Sequence, residues 1–191
     1  MPKKVLIISG SPKKNGNTAQ LIEWFAQGAR SKGADVNIVH AAFLKFRVNG
    51  CTACRKCQKI KEYKCAIADG AANVLADMIK ADVIVMATPL YFFDASAQIK
   101  QIIDRMFCLY KWDNNTDTFE SPLIGKTFVL LASAYEDTGL DALEKPFKLI
   151  ANYTKMKFFS LLVPNAGESG EISNVRGIKG KAVKLGKAVS S

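Results

Sequence analysis

Short apolar runs alternate with amphipathic stretches along this chain, and that alternation limits its fold more than any other feature of the sequence. The runs are rich in β-branched residues, as expected for strands of a parallel sheet covered on both faces. They occupy residues 5–8, 36–39, 83–87, 128–132 and 158–163. The stretches between and after them predict helices at 18–32, 71–80, 97–110, 139–152 and 174–189. The pattern therefore predicts an α/β fold with a doubly wound, five-stranded parallel sheet in a three-layer α/β/α arrangement.

Length and composition favour one domain. The chain has 191 residues, of which 49% are hydrophobic and 23% charged, close to the averages for globular proteins. Two segments break the alternation, at 45–70 and 111–125. The first leaves the carboxyl end of the second strand, the edge where doubly wound sheets bind ligands, whereas the second follows a helix and starts on the opposite edge. We expect a single domain over residues 1–191, with a cysteine-rich loop insertion at about 45–70.

The N-terminal apolar run, residues 5–8, is too short for the core of a signal peptide, and no window approaches the length of a membrane span. We therefore expect a cytoplasmic protein that does not enter a membrane. Thiols stay reduced in the cytoplasm, so the five cysteines indicate metal binding or redox chemistry rather than a disulfide framework.

The formal net charge is +10, and it comes mostly from lysines scattered along the chain. Arginine is scarce, and the sequence contains no basic groove interleaved with aromatic residues. The charge therefore predicts a solvated basic surface rather than a nucleic-acid interface, although a basic regulatory or nucleic-acid-binding module is an alternative. Such a surface would attract anionic partners, including a phosphorylated cofactor.

A small-residue loop joins the first predicted strand directly to the first predicted helix. It has the sequence SGSPKKNGNT over residues 9–18. Small residues let the backbone curl around an anion, the hydroxyls of Ser11 and Thr18 can donate to it, and the helix N-terminus adds amides and a favourable dipole. The loop matches neither a P-loop nor a dinucleotide fingerprint. It predicts a monophosphate site, with an ordinary glycine-rich turn as the alternative.

At this loop the chain resembles the flavodoxin-like NAD(P)H-dependent FMN reductase superfamily, in which Gly-Ser-Pro follows the first strand and Gly-Asn-Thr opens the first helix. The resemblance implies a flavodoxin-like sheet of order 2-1-3-4-5, FMN as cofactor and a homodimer or homotetramer. It also implies that FMN phosphate is bound by Ser9, Ser11, Asn17 and Thr18.

The same resemblance extends to the segment after the third strand. Residues 88–93 read TPLYFF and are followed by Ser-Ala-Gln at 96–98 and by Asp104-Arg105. We interpret Asp104 and Arg105 as structural tethers, because neighbours in sequence do not face each other on a helix. The resemblance implies flavin-ring contacts from this loop and from the loop after the fourth strand, by Pro89, Leu90, Tyr91, Phe92, Ser133 and Tyr135.

Four cysteines follow the second strand, Cys51, Cys54, Cys57 and Cys65, with the spacing C-x2-C-x2-C-x7-C. Two-residue gaps suit iron-sulfur clusters, whereas zinc sites usually use separated pairs. The motif resembles that of the iron-sulfur flavoproteins, a branch of the same superfamily, which implies a [4Fe-4S] cluster. Zinc, a thiol-disulfide site and unligated cysteines remain alternatives. We interpret the fifth cysteine, Cys108, as a packing thiol.

Together these features predict an FMN-dependent oxidoreductase that passes electrons through flavin, with a [4Fe-4S] cluster as a second redox group. The flavin carries the chemistry, so we expect no catalytic side chain. NAD(P)H or a ferredoxin-type protein is the expected electron donor. The alternatives are a cluster-free NAD(P)H-dependent FMN or quinone reductase and a non-catalytic flavodoxin-type carrier, although such carriers are typically acidic.

Overall fold

The structure of the protein is a computed structural model that describes residues 1–113, 116 and 118–191. Its strands, in chain order, are β1 (Lys4–Ser9), β2 (Asp35–His40), β3 (Val83–Tyr91), β4 (Asp94–Ala95), β5 (Lys111–Asp113), β6 (Thr118–Glu120), β7 (Thr127–Ser133) and β8 (Lys157–Val163). Its helices are α1 (Asn17–Arg30), α2 (Gly70–Lys80), α3 (Ala97–Arg105), α4 (Leu140–Tyr153) and α5 (Ile178–Val189).

The long strands form one parallel sheet in the order β2-β1-β3-β7-β8. Ile7 lies between Ile38 of β2 and Val85 of β3, which fixes the register at the centre of the sheet. Counted among the parallel strands alone, this is the order 2-1-3-4-5. The predicted fold class is therefore confirmed. The carboxyl ends of β1, β3, β7 and β8 lie at one edge of the sheet, and the loops that follow these strands meet there.

Each face of the sheet covers its own hydrophobic core, because successive side chains of a strand point to opposite faces. Leu6, Ile8 and Ile84 pack with side chains of α2, α3 and α4. Ile7 and Val85 pack on the other face with side chains of α1 and α5. Strands buried on both faces explain why the sequence runs are almost continuously apolar.

The structure differs from the predicted elements in several places. The helix predicted at 97–110 ends at Arg105 and continues as a 3₁₀ turn, Met106–Leu109. The last helix begins at Ile178 rather than 174, because Gly177 before it has a φ of 73°, which interrupts the helix. In the second break, β5 and β6 pair as an antiparallel ribbon in which Trp112 stacks on Phe119; residues 114, 115 and 117 of that break lie outside the described part of the chain.

Among the described residues, no helix combines the length and the apolar character needed to cross a membrane.

Candidate functional site

The loop after β1 is held against the start of α3 by buried hydrogen bonds. The Gly10 amide donates to the Ala87 carbonyl oxygen at 2.7 Å. The Ser96 hydroxyl donates to the Gly10 carbonyl oxygen at 2.8 Å. A Cβ atom on Gly10 would lie 2.3 Å from Ile99 Cγ1 and 2.5 Å from Ser96 Oγ. Glycine is required here because α3 packs directly on the loop backbone.

The same loop leaves the first turn of α1 open to an anion. Gly16 is the residue before the helix, and within the described part of the chain no side chain caps it. The first amides of a helix have no acceptor in the helix itself, so they point outward as free donors. The Ser11 hydroxyl, which accepts from the Lys13 amide at 3.2 Å, closes the preceding turn. These features are those of an anion-binding cradle.

Asn17 ties this cradle to the loop after β8. Its Nδ2 atom donates to the carbonyl oxygens of Ala166 and Glu168, at 2.7 and 2.8 Å. Its Oδ1 atom accepts from the amides of Gly170 and Ile172, at 2.9 and 3.3 Å. Asn17 was predicted to contact phosphate, but its side-chain amide positions a loop instead. This leaves the backbone amide of Asn17 for an anion.

A cleft of about 320 Å³ opens beside the cradle, within the size range of small-molecule sites. Buried Thr18 and Ser133 meet at its base, with 3.1 Å between their hydroxyl oxygens. Eight of the ten residues predicted to bind cofactor line the cleft: Ser11, Asn17, Thr18, Pro89, Leu90, Tyr91, Ser133 and Tyr135.

The other two predicted residues lie elsewhere. Ser9 is fully buried at the end of β1, and its hydroxyl has no hydrogen-bond partner among the described residues. Phe92 is 96% exposed, at a turn where its φ is 48°. In the described structure the Phe92 ring therefore points to solvent and not into the cleft.

Sequence reasoning missed one whole wall of the cleft. Residues of the loop after β8 line it, among them Gly167, Glu168 and Ser169, together with Lys13 at the phosphate loop. The Tyr135 ring lies against Gly167, since a Cβ there would be 2.1 Å from Tyr135 Cδ2. The position of this loop in the sequence could have indicated its role, because the loop follows the last strand at the ligand-binding edge.

A second, larger cleft of about 670 Å³ lies between α3 and α4. Its lining includes the aromatic residues Phe107, Tyr110, Trp112 and Tyr153. None of the predicted cofactor residues is among its described lining residues. By volume alone, this larger cleft would be the preferred ligand site. The free helix amides and hydroxyls that recognise a phosphate, however, belong to the smaller cleft.

The four motif cysteines line one small cavity. Cys51 and Cys54 are exposed, Cys65 is partly exposed and Cys57 is buried. Cys108 was predicted only as a packing thiol, and it is buried in the wall of this same cavity. Burial, with a smaller contribution from the neighbouring Cys65 and Cys57, raises the pKa of the Cys108 thiol to about 12. Cys108 is therefore a neutral thiol at neutral pH.

Backbone amides point at the sulfur atoms of the cysteine loop. Ala53 and Arg55 have φ values of 53° and 54°, a left-handed conformation that non-glycine residues seldom adopt. The Ala53 amide donates to the Cys51 sulfur at 3.4 Å. Hydrogen bonds from the backbone of Lys56 and the side chain of Thr52 lower the pKa of the exposed Cys54 thiol. The loop thus curls so that N–H groups face the sulfur atoms of Cys51 and Cys54.

Three side-chain anchors hold this loop. Gln58 Nε2 donates to the carbonyl oxygens of Phe107 and Tyr110, at 3.1 and 2.9 Å. Lys111 Nζ donates to the Cys57 and Ile60 carbonyl oxygens. The third anchor is the ion pair between Asp69 and Arg105. The cysteine loop is therefore fixed to the segment that follows α3.

Asp69 and Arg105 form a buried ion pair, each side chain 1% exposed. Arg105 Nη1 donates to both carboxylate oxygens of Asp69, at 2.8 and 2.7 Å. Burial acts to raise the pKa of the Asp69 carboxyl, but hydrogen bonds from Arg105, Arg47 and Ala72 hold that pKa below its ordinary value. Arg105 is therefore confirmed as a structural tether. Asp104 was predicted to be a tether as well, but it pairs with Lys100 of its own helix, on the exposed face of α3.

The cysteine cavity and the phosphate cleft are separate. They share none of their described lining residues. Ser96, before the start of α3, contacts the phosphate loop, whereas Arg105 at its end lines the cysteine cavity. A helix of nine residues is roughly 13 Å long. Within residues 1–113, 116 and 118–191, no three His, Cys, Asp or Glu side chains already stand in a metal-binding arrangement.

A doubly wound sheet with an anion cradle at its carboxyl edge defines a flavodoxin-like protein. Within that class the chain belongs to the NADPH-dependent FMN reductase family, whose model matches residues 3–167.

The chain is also similar to curated iron-sulfur flavoproteins. A protein of Methanocaldococcus jannaschii is 35% identical over 102 residues, which cover 53% of this chain and 51% of the relative. A protein of Methanosarcina thermophila is 31% identical over 106 residues, covering 56% of this chain and 53% of the relative. The chain therefore spans about half the length of the curated relatives it matches.

Solved structures agree on the fold. An NAD(P)H:quinone oxidoreductase from Methanothermobacter marburgensis superposes with a TM-score of 0.77 at 15% identity, covering 100% of this chain and 98% of the other. An FMN-dependent NADH-azoreductase from Bacillus anthracis superposes with a TM-score of 0.74 at 11% identity, covering 99% and 100%. At such identities the likeness concerns the fold alone.

Proposed function

We propose that this protein is an FMN-dependent oxidoreductase in which FMN exchanges electrons with a [4Fe-4S] cluster held by Cys51, Cys54, Cys57 and Cys65. The observation that carries the proposal is that these four cysteines line one cavity in a chain that also has an open phosphate cradle. The similarity to curated iron-sulfur flavoproteins supports the same proposal.

In this proposal FMN binds in the cleft beside α1. The hydroxyls of Ser11 and Thr18 and the first amides of α1, including that of Asn17, hold the phosphate. The loops after β3 and β7 would hold the flavin ring, through the cleft residues Pro89, Leu90, Tyr91, Ser133 and Tyr135. Ser9 is buried at the end of β1, directly before this loop, and Phe92 lies outside the cleft. Bound FMN supplies the redox chemistry, and the protein supplies position and electrostatics.

The donor set of the cavity suits an iron-sulfur group. Thiolates bind the irons of such clusters, and N–H groups aimed at sulfur, as at Cys51 and Cys54, stabilise the negative charge. Arg55 and Lys56 add positive charge within the motif. Metal binding is coupled to local folding, so we propose that the cluster draws the four sulfur atoms into ligand geometry.

NAD(P)H or a ferredoxin-type protein is the proposed electron donor. The description of the family names NADPH. The net charge of +10 suits an acidic protein donor as well as a phosphorylated nucleotide. By resemblance to the family, we also propose a homodimer or homotetramer.

A second candidate is a cluster-free NAD(P)H-dependent FMN or quinone reductase. Two observations favour it. In the part of the chain that the structure describes, the cysteines are not preset as a ligand set. A structural neighbour over the full chain is an NAD(P)H:quinone oxidoreductase.

The test is to measure FMN, iron and sulfide in protein purified without oxygen, and to record its visible spectrum. FMN with about four irons per chain is the expected result. FMN without iron would favour the cluster-free reductase. Protein that contains neither FMN nor iron would refute the proposal. Anaerobic bleaching of the flavin by NAD(P)H would separate a reductase from a flavodoxin-type carrier.

A further inference from the structure

Arg105 keeps one buried donor without an acceptor among the described residues after its ion pair with Asp69 has been made. Arg105 is 2% exposed. Its Nη1 atom pairs with Asp69, and its Nη2 atom donates to the Ile67 carbonyl oxygen at 2.7 Å. Its Nε atom is buried and has no acceptor among the described residues. A buried charged donor is seldom left unpaired, because it loses its hydration without compensation.

The unpaired donor belongs to a side chain in the wall of the cysteine cavity. Arg105 lines this cavity together with all four motif cysteines. Burial acts to lower the pKa of Arg105, but hydrogen bonding to Asp69 and to the Cys65 sulfur raises that pKa above its ordinary value. Anchoring the loop to Asp69 needs neither the Nε donor nor the contact with Cys65. The guanidinium therefore faces two ways, towards Asp69 and towards the cysteines.

We propose that Arg105 also sets the reduction potential of the cluster, by presenting its Nε–H and its positive charge to the cluster sulfurs. This inference rests on the proposed function. Reduction adds one negative charge to an iron-sulfur cluster, and a fixed positive charge beside it favours the reduced form. Arginine remains protonated at all relevant pH values, so no proton has to move. Arg105 therefore raises the potential of the cluster and favours its acceptance of an electron.

Two variants separate this role from anchoring. Arg105→Gln and Asp69→Asn break the same ion pair, so a purely structural role predicts the same result for both. The inference predicts different results. Arg105→Gln removes a positive charge beside the sulfurs and lowers the cluster potential, whereas Asp69→Asn leaves the guanidinium in place and does not lower it.

The experiment is an anaerobic redox titration of the full-length protein, in which electron paramagnetic resonance follows the cluster and absorbance follows FMN. FMN serves as an internal control, because its cleft shares no described lining residue with the cavity. We expect a lower cluster midpoint in Arg105→Gln, no lowering in Asp69→Asn, and an unchanged FMN midpoint in both. If Arg105→Gln loses iron while Asp69→Asn retains it, the inference is also supported.

A third variant covers the case in which Arg105→Gln does not fold. Arg105→Lys keeps the charge and can pair with Asp69 but lacks the Nε–H, and it should show a smaller fall in potential. An equal shift or equal loss of iron in Arg105→Gln and Asp69→Asn would overturn the inference, as would an unchanged potential in the arginine variants. Wild-type protein without iron would overturn the proposed cluster as well, so the two failures are distinguishable.

Discussion

The phosphate cleft and the cysteine cavity are held in different ways. The loops of the cleft start directly at strand ends and are joined by buried hydrogen bonds, such as Ser96 to Gly10 and Thr18 to Ser133. The cysteine loop runs outside the sheet, with Cys51 and Cys54 exposed and Ala53 and Arg55 in left-handed conformations. Its anchors are individual side chains.

This difference shows what determines the shape of each site. The loops of the cleft follow strands whose register is fixed by the core. The cleft is therefore formed before a ligand binds. The shape of the cavity depends on a few anchors and, in our proposal, on the metal group itself. The two regions should therefore respond independently to substitution.

The largest effect is expected from Cys54→Ser. We expect it to abolish bound iron while FMN content stays unchanged, because the cleft does not depend on the cysteine loop. Iron and flavin analysis of anaerobically purified protein measures both. The matched control is Cys108→Ala, which changes a fifth cysteine in the same cavity and should keep full iron. Iron unaffected by Cys54→Ser would refute the ligand assignment, and iron lost from Cys108→Ala would make Cys108 a ligand.

Asp69→Asn should destabilise the protein by about 3 kcal/mol, because it leaves the buried Arg105 charge without its partner. The pKa of Asp69 lies below the ordinary value of about 3.9, so the charged pair stabilises the fold above that pH. This stabilisation is lost as pH falls through the folded-state pKa. The variant should therefore show a weaker loss of stability than the wild type as pH falls below about 4.

Urea unfolding followed by circular dichroism at several pH values measures this effect. Asp104→Asn is the control, because Asp104 makes an exposed ion pair with Lys100 and should cost less than about 1 kcal/mol. Equal losses of stability in Asp69→Asn and Asp104→Asn would show that the Asp69–Arg105 pair does not anchor the cysteine loop.

Ser11→Ala and Thr18→Ala should each weaken FMN binding about tenfold or more, since a hydrogen bond to a charged group contributes about 1.5–3 kcal/mol. Titration of apoprotein with FMN, followed by flavin fluorescence, measures the affinity. Riboflavin lacks the phosphate, and its affinity should change little. Ser31→Ala, at the far end of α1, is the control substitution. Equal losses for FMN and riboflavin would contradict a phosphate contact.

Phe92→Ala should have the smallest effect, changing the FMN dissociation constant by less than about twofold, because the ring lies in solvent. The same fluorescence titration applies. A loss of tenfold or more would show that the loop after β3 closes over the flavin, so that the Phe92 side chain contacts the ring after all.

Much of the cleft could be predicted from the sequence, and less of the cavity. The phosphate loop is local, since residues 9–18 carry strand end, turn and helix start in one segment. The spacing of the four cysteines from Cys51 to Cys65 likewise predicts a shared site. The sequence could not reveal Cys108 as part of that cavity, because one buried cysteine within a helical pattern is indistinguishable from a packing residue.

The sequence by itself determined the layers of the fold, the sheet and the positions of both loops, because hydrophobic periodicity and local turn chemistry act over a few residues. Tertiary structure alone decided that Asn17 positions a loop 149 residues away and that Arg105 reaches both Asp69 and the cysteine cavity. The physical reason is that such partners meet only after helices and strands have packed. A side chain's own neighbourhood in sequence does not encode which distant acceptor it will face.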